Sequence, residues 1–309
     1  MNYNLKEIMS QPERFEAGHR LCAGCGAGVV CRAMMRAVDP GDKAVICNAT
    51  SCLEVSSFQY PFTAWNDSYI HVAFENTSAV ASGVEAAYKV MKRKGKVKDN
   101  FKFLAIGGDG GTYDIGFQSL SGALERGHDF TYFCYDNEAY MNTGTQRSSA
   151  TPRFANATTT PPGTESVGKV QDPKDLTQIV VAHGSPYVAQ TTMLGTFKDF
   201  HSKAHTAIYT EGATFVNVLC PCPRGWQYPA ELLPEICRLA VDTCVWPLYE
   251  VVEGEYHLTY TPKKKLPVEE FMKLQGRFRH CFKPGNEWTI ECAQKYVDDK
   301  WEALLAKCK

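Results

Sequence analysis

A chain of 309 residues with an apolar share of 44% can bury a sizeable core, and a formal net charge of −1 gives nucleic acid or an anionic membrane surface nothing to attract. No apolar run of about eighteen residues is present to span a bilayer, and the opening Met1-Asn2-Tyr3-Asn4-Leu5-Lys6-Glu7 lacks the apolar stretch of a secretory signal, so the expected setting is cytoplasmic. Thirteen cysteines, an odd number without export features, argue for metal binding or burial over a disulfide framework.

The first twenty residues are polar and lead to Gly18-His19-Arg20-Leu21-Cys22-Ala23-Gly24-Cys25-Gly26. Val30, Met34 and Val38 then recur at helical spacing, which puts the Cys-x-x-Cys pair at a helix entrance. Lys43 to Cys47 reads as a short strand running into Asn48-Ala49-Thr50-Ser51-Cys52-Leu53-Glu54. After an aromatic stretch from Phe58 to Trp65, Thr77 can cap a helix with Val80, Val84, Ala87 and Met91 on its apolar face, closed by the basic run Lys92 to Lys98. A strand from Phe101 to Ile106, a helix around Ile115 to Leu124 and a strand from Phe130 to Tyr135 come next. A helix near Pro173 to Val181, a strand from Tyr187 to Thr191, a helix with Phe197, Phe200, Ala204 and Ile208 on one face, and a strand from Thr214 to Leu219 continue the alternation. Such alternation predicts an α/β fold, a mostly parallel sheet with helices on both faces, whose ligands bind at the carboxyl ends of the strands.

Between Asn142 and Val170 the chain is rich in Ser, Thr, Pro and Gly and has no apolar period, the composition of a surface loop; its place directly after Asn137 also suits an active-site loop. Beyond Val245 the pattern changes: Tyr249 to Tyr260 alternates like an edge strand, Pro262-Lys263-Lys264-Lys265 interrupts, and two helices end the chain. The expected organisation is a domain over residues 1–245 and a C-terminal arm over 246–309 that packs on its own domain or on a partner subunit. No internal repeat is present.

Two groups of residues carry chemistry. In Ile106-Gly107-Gly108-Asp109-Gly110-Gly111 an apolar strand opens onto four glycines around one carboxylate, as at a phosphate site where backbone and helix N–H groups approach an anion. Tyr135-Asp136-Asn137-Glu138-Ala139-Tyr140-Met141-Asn142-Thr143-Gly144 follows the next strand, and Asp109 with Asn137 offers the hard oxygens that Mg²⁺ prefers. The second group is Cys22, Cys25, Cys52 and Cys222, thiolates in the number that suits zinc or an iron–sulfur cluster. Spacing alone does not choose between these metals or reject a thioredoxin-like pair at Cys22 and Cys25, and Cys47 and Cys220 are near rivals. Cys31, Cys134, Cys237 and Cys244 lie in apolar segments and read as buried small residues.

The Gly-Asp-Gly with its later Asn resembles the thiamine diphosphate signature, which implies Mg²⁺ on Asp109, Asn137 and the carbonyl of Ala139. Taken together, Leu21-Cys22-Ala23-Gly24-Cys25-Gly26, Ala49-Thr50-Ser51-Cys52-Leu53-Glu54, Gly108-Asp109-Gly110, Asp136-Asn137-Glu138-Ala139 and Pro221-Cys222-Pro223-Arg224-Gly225-Trp226 resemble the β subunit of the 2-oxoacid:ferredoxin oxidoreductases, in the pyruvate branch. The resemblance runs from about Gly18 to Trp226 and continues weakly into the arm.

The resemblance implies a thiamine diphosphate-binding fold and a 4Fe-4S cluster on Cys22, Cys25, Cys52 and Cys222. It places Asn142 and Thr143 beside the cofactor with Gly108 and Gly110, and puts the glutamate that meets the aminopyrimidine ring on a companion α chain. Glu54 and Glu75 are local candidates for that glutamate by position only, and Arg147 and Arg153 could assist anion binding. The implied activity is decarboxylating oxidation of a 2-oxoacid, best pyruvate with coenzyme A, passing electrons to ferredoxin beside α and γ/δ subunits. Oxalate, 2-oxoglutarate or a branched-chain acid are alternative substrates. A non-redox thiamine lyase with structural zinc and a zinc-stabilised interaction module are the other readings.

Overall fold

Parallel strands form the centre of the molecule, as the alternation predicts. The computed structural model describes residues 4–193 and 197–308; of the N-terminal stretch read above, Met1, Asn2 and Tyr3 lie outside them. Strand β1 (Lys43–Ala49) is followed by a small separate hairpin, β2 (Phe58–Gln59) and β3 (Phe62–Thr63), then by β4 (Ser68–Val72), β5 (Phe101–Gly108), β6 (Phe130–Asp136), β7 (Tyr187–Thr192), β8 (Ala213–Leu219), β9 (Tyr249–Val252) and β10 (Glu255–Leu258). The main sheet has the spatial order β10-β9-β7-β8-β6-β5-β1-β4, parallel from β7 to β4 and antiparallel at the β7–β9–β10 edge.

Every residue of β6, β7 and β8 is buried, which is why these strands read as continuous apolar runs. Side chains alternate between two cores. Leu104 and Ile106 of β5 face helices α2 (Gly26–Met35) and α7 (Phe197–Tyr209). Phe103 and Ala105 face α4 (Thr77–Arg93), α5 (Phe117–Glu125) and α6 (Leu176–Val181). Short helices α1 (Leu5–Ser10), α3 (Cys52–Ser57) and α8 (Pro223–Trp226) sit in the connections. Helices α9 (Leu233–Asp242), α10 (Val268–Met272) and α11 (Glu287–Lys307) and the 3₁₀ turn Gly276–Phe282 cover the β7 end.

Several expectations need correction. The edge strand β4 was not foreseen; it is five residues long, with Ser68 and His71 exposed, so it has no long apolar run to announce it. Asn76, not Thr77, holds the cap position of α4. Val80 and Val84 do pack against the core, but Ala87 and Met91 are exposed and Ala81, Ser82 and Glu85 turn inward instead. The buried Glu85 turns the helix: it pairs with Lys89 and, at 3.0 Å, with His128.

The helix expected around Ile115 is two elements, a π-helical turn Gly110–Ile115 and then α5. Gly116 N–H donates to Gly111 O at 2.7 Å, a five-residue bond, and a Cβ on Gly116 would stand 2.3 Å from that oxygen. The single edge strand expected after Tyr249 is the β9–β10 hairpin, turned by Glu253 and Gly254, both at positive φ. Because β9 pairs with β7, the residues after 245 begin inside the sheet. Residues 142–170 form no regular element, yet Ser148, Thr151, Phe154, Ala155 and Lys169 are buried, so the segment is packed. Among the described residues no helix is long and apolar enough to cross a membrane.

Gly107 shows how tightly the end of β5 is packed. A Cβ there would lie 2.3 Å from the Tyr132 hydroxyl and 2.8 Å from Thr112 Oγ1, two groups that are buried and hydrogen-bonded to each other at 3.0 Å. Gly107→Ala is expected to destabilise the chain by about 1–3 kcal/mol through overpacking, read as a lower urea midpoint with an unchanged slope.

Candidate functional site

The sheet register brings the oxygen ligands together. Gly108 lies opposite Tyr135, and β5 and β6 end side by side, so Asp109 and Asn137 leave the sheet as neighbours. The Asn137 side-chain oxygen points at the Ala139 carbonyl oxygen, 2.8 Å away, and at Asp109 Oδ1, 3.0 Å away. With no cation among them these acceptors are unsatisfied, and the turned-over amide is the orientation that satisfies all three. Turned over, the Asn137 amide would donate to both; unturned, the trio is a hard-oxygen set of the kind that binds Mg²⁺.

Glu138, between the two ligands, has φ of 64°, a left-handed turn that brings the Asn137 side chain and the Ala139 carbonyl to one side. Burial, and then the neighbouring Asp136, raises the Asp109 carboxyl well above the usual carboxylate range. Ser148 Oγ donates to Asp109 Oδ2 at 2.5 Å, and Thr151 Oγ1 donates to the Glu138 carbonyl at 2.5 Å. The segment after Asn142 therefore closes over the turn.

Gly108 and Gly110 serve close approach. A Cβ at Gly110 would lie 2.4 Å from the Tyr140 ring, and one at Gly108 would lie 3.2 Å from the Tyr135 hydroxyl. Asn142 and Thr143 are exposed on the turn that follows, and the Thr143 hydroxyl donates to Gln146 Oε1 at 2.5 Å. They are not brought onto the three oxygens.

The four cysteines come from separate parts of the chain. Cys25 caps α2, Cys52 is the first residue of α3, and Cys222 caps α8, where the Gly225 N–H donates to its sulfur at 3.4 Å. Three thiols at helix N-termini sit where a thiolate is favoured. Gly26 makes the meeting possible: its N–H donates to Pro221 O at 3.2 Å, and a Cβ would stand 3.0 Å from Cys220 Cα. Every pair among Cys22, Cys25, Cys52 and Cys222 is close enough for one thiolate to raise the other's pKa.

Burial pushes Cys25 up to about 11 and Cys52 to about 12, so a metal would have to displace their protons. Among the described residues no three His, Cys, Asp or Glu side chains converge as ligands of a single ion. The four thiols lie near one another without being gathered on a single point. The rivals lie in the core: Cys220 beside Cys31 and Met34, and Cys47 on the opposite sheet face with Ala105 and Cys134.

The two groups share a wall. Met141 packs against Gly225, where a Cβ would meet its sulfur at 2.1 Å, and Trp226 Nε1 donates to the Asn137 carbonyl at 2.8 Å. The best-formed cavity, about 220 Å³, lies elsewhere, lined by Tyr113, Asp136, Glu138, Asn217, Trp246 and Phe271 among others; neither Asp109 nor Asn137 borders it.

Residues 47–218 match the family described as thiamine pyrophosphate enzyme, C-terminal TPP binding domain. The chain is 52% identical to the pyruvate synthase subunit PorB of Methanocaldococcus jannaschii, over 94% of this chain and 96% of that one. It is 48% identical to the subunit of the same name from Thermotoga maritima, over 99% and 96%. The chain belongs to the β-subunit family of the thiamine diphosphate-dependent 2-oxoacid:ferredoxin oxidoreductases. It is thus one subunit of an enzyme complex. A chain of the Magnetococcus marinus 2-oxoglutarate:ferredoxin oxidoreductase, solved with 2-oxoglutarate, coenzyme A and succinyl-CoA bound, shares the fold at a TM-score of 0.57 and 21% identity, covering 77% of this chain and 81% of that one.

In this β subunit the acids named from sequence have a local partner or solvent, while the buried Nε atoms of Arg147 and Arg153 have no hydrogen-bond partner. Glu54 is buried and pairs with His71 at 2.8 Å; Glu75 is exposed. Arg153 lies over the Phe154 ring and 3.8 Å from Asp172, and the Arg147 backbone N–H donates to Thr159 Oγ1 at 3.0 Å. Sequence reasoning missed Ser148, the part played by Trp226, and Arg277, whose guanidinium meets Glu138 Oε2 at 2.5 Å. Trp226 ended a recognised motif and could have been found; nothing marks Ser148 or Arg277 locally.

Ser148→Ala removes the hydroxyl that orients Asp109. It is expected to weaken Mg²⁺-dependent binding of thiamine diphosphate ~10–100-fold, as loss of a group behind a metal ligand does, measured by titrating Mg²⁺ against cofactor fluorescence quenching.

Proposed function

We propose that this β subunit holds thiamine diphosphate through Mg²⁺ on Asp109, Asn137 and the Ala139 carbonyl, and a 4Fe-4S cluster on Cys22, Cys25, Cys52 and Cys222. In this reading the complex oxidises pyruvate in the presence of coenzyme A and delivers the electrons to ferredoxin. The observation that carries the proposal is the shared wall: the turn with the three converging oxygens is hydrogen-bonded, through Trp226, to the one-turn helix that Cys222 opens.

When bound, thiamine diphosphate supplies the carbanion chemistry that a 2-oxoacid needs to lose CO₂. The chain's own residues bind and position. Asp109, Asn137 and Ala139 O would take the metal on one side, leaving its other positions to phosphate and water. The amides opening the Gly110–Ile115 turn and the exposed Asn142 and Thr143 remain for the rest of the cofactor. Cys22, Cys25, Cys52 and Cys222 would hold a centre that accepts electrons one at a time, which separates this reaction from a non-redox decarboxylation.

Glu54 pairs with His71 and Glu75 points to solvent, which is consistent with the family pattern in which the carboxylate for the aminopyrimidine ring comes from a companion α subunit. The names of the relatives support pyruvate as the acid. Residues 1–245 act as the cofactor-binding domain, and the arm from 246 braces it. The absence of a C-x-x-C-x-x-C run in this sequence assigns clusters that carry electrons outward to other subunits.

Asp109→Ala is expected to abolish Mg²⁺-dependent thiamine diphosphate binding, measured by calorimetry on the assembled complex; unchanged affinity would refute the metal assignment. Cys52→Ser is expected to leave that binding largely intact while ferredoxin reduction stops, and iron with acid-labile sulfide falls by one cluster's worth. A steady-state comparison of pyruvate with oxalate, 2-oxoglutarate and a branched-chain 2-oxoacid tests the substrate, with pyruvate expected to give the highest kcat/KM.

A further inference from the structure

Arg277 is a buried cation in a part of the chain that no motif covers. It is 2% exposed, in the 3₁₀ turn Gly276–Phe282 of the C-terminal arm. Its Nη2 stands 2.5 Å from Glu138 Oε2, its Nε donates to Gln275 Oε1 at 2.8 Å, and its Cζ lies 3.8 Å from the centre of the Trp226 ring. The Arg277 carbonyl accepts from Asn156 N–H at 2.9 Å, which ties the segment over Asp109 to the same point. Gly276 is pressed against the residue after α8: its N–H donates to Gln227 O at 3.1 Å, and a Cβ would stand 2.7 Å from Gln227 Cβ.

A buried ion pair of this kind is weak as a stabiliser, because desolvating both charges offsets most of their attraction. Its placement gives it another use. Trp226, which the guanidinium covers, ends the helix that Cys222 begins and donates to the Asn137 carbonyl; Glu138, which the guanidinium binds, lies between Asn137 and Ala139. Arg277 touches a direct neighbour of each centre.

We propose that Arg277 is a positioning residue that sets the reduction potential of the cluster on Cys22, Cys25, Cys52 and Cys222, with Glu138 as its counter-charge. The inference rests on the cluster assignment above. Reduction adds one electron, and so one negative charge, to a centre already surrounded by thiolates. A fixed cation stacked on Trp226, the residue that ends the one-turn helix opened by Cys222, favours the reduced form and raises the potential.

The test is a redox titration of the assembled complex with a chemical reductant, following the electron paramagnetic resonance signal that Cys52→Ser removes. A wild-type complex without such a signal would refute the cluster assignment itself. With the signal present, Arg277→Gln is expected to shift the one-electron equilibrium about tenfold toward the oxidised form, a fall of ~59 mV. Arg277→Lys should recover most of that shift. Glu138→Gln, which removes the carboxylate paired with the cation, should move the midpoint upward. A midpoint unchanged in Arg277→Gln overturns the proposal. If that variant assembles without its cluster, Glu138→Gln decides: an upward shift supports the proposal and no shift overturns it.

Discussion

Four adjacent strands, β8, β6, β5 and β1, point their carboxyl ends at the same edge of the sheet, and everything else in the site depends on that alignment. Parallel pairing cannot put neighbouring strands in opposite directions, so the segments that follow them must emerge together. Those segments carry Cys222 after β8, Asn137 after β6, Asp109 after β5 and Cys52 after β1. The fifth piece, Cys22-x-x-Cys25, belongs to no strand end. It reaches the others because Gly26 lets the start of α2 lie against Cys220 and Pro221 without a side chain between them.

The shared edge explains why a thiamine site and a thiol cluster can occupy one small domain. Met141 seated on Gly225 and the indole of Trp226 bonded to the Asn137 carbonyl make the oxygen turn and the thiol loop one rigid unit. The face in front of Asp109 and Asn137 is not part of the best-formed cavity.

Charge tells the same story. Asp109, Asp136 and Glu138 are all buried at the neighbouring ends of β5 and β6, with Arg277 the cation bound directly to one of them. Burial, followed by Glu138, lifts Asp136 to about 7 in spite of the Tyr113 hydroxyl that donates to it at 2.6 Å. An excess of buried negative charge is unfavourable unless a cation balances it. A divalent ion among the three converging oxygens would do so, and the Asn137 amide, able to present oxygen to that ion or nitrogen in its absence, suits both states.

How much of this was legible in the amino-acid order depends on the range over which each feature is encoded. The parallel strands, the glycine turn around Asp109, the Asn137 turn and the four thiols were readable, because each rests on a run of a few residues whose periodicity or composition is local. Half of the α4 face was misread, since Ala87 and Met91 are exposed while a buried Glu85, tolerated only with His128 from a distant loop, turns inward. The π-helical turn was missed because it arises from a backbone contact between Gly111 and Gly116 that leaves no mark on hydrophobic spacing. Only the tertiary structure could decide that Ser148 reaches back 39 residues to Asp109, that Cys220 is sunk in the core, and that Arg277 from the arm lies on Trp226. Such contacts join segments that share no local pattern, and their free energy comes from burial and charge pairing that exist only once the sheet has brought those segments together.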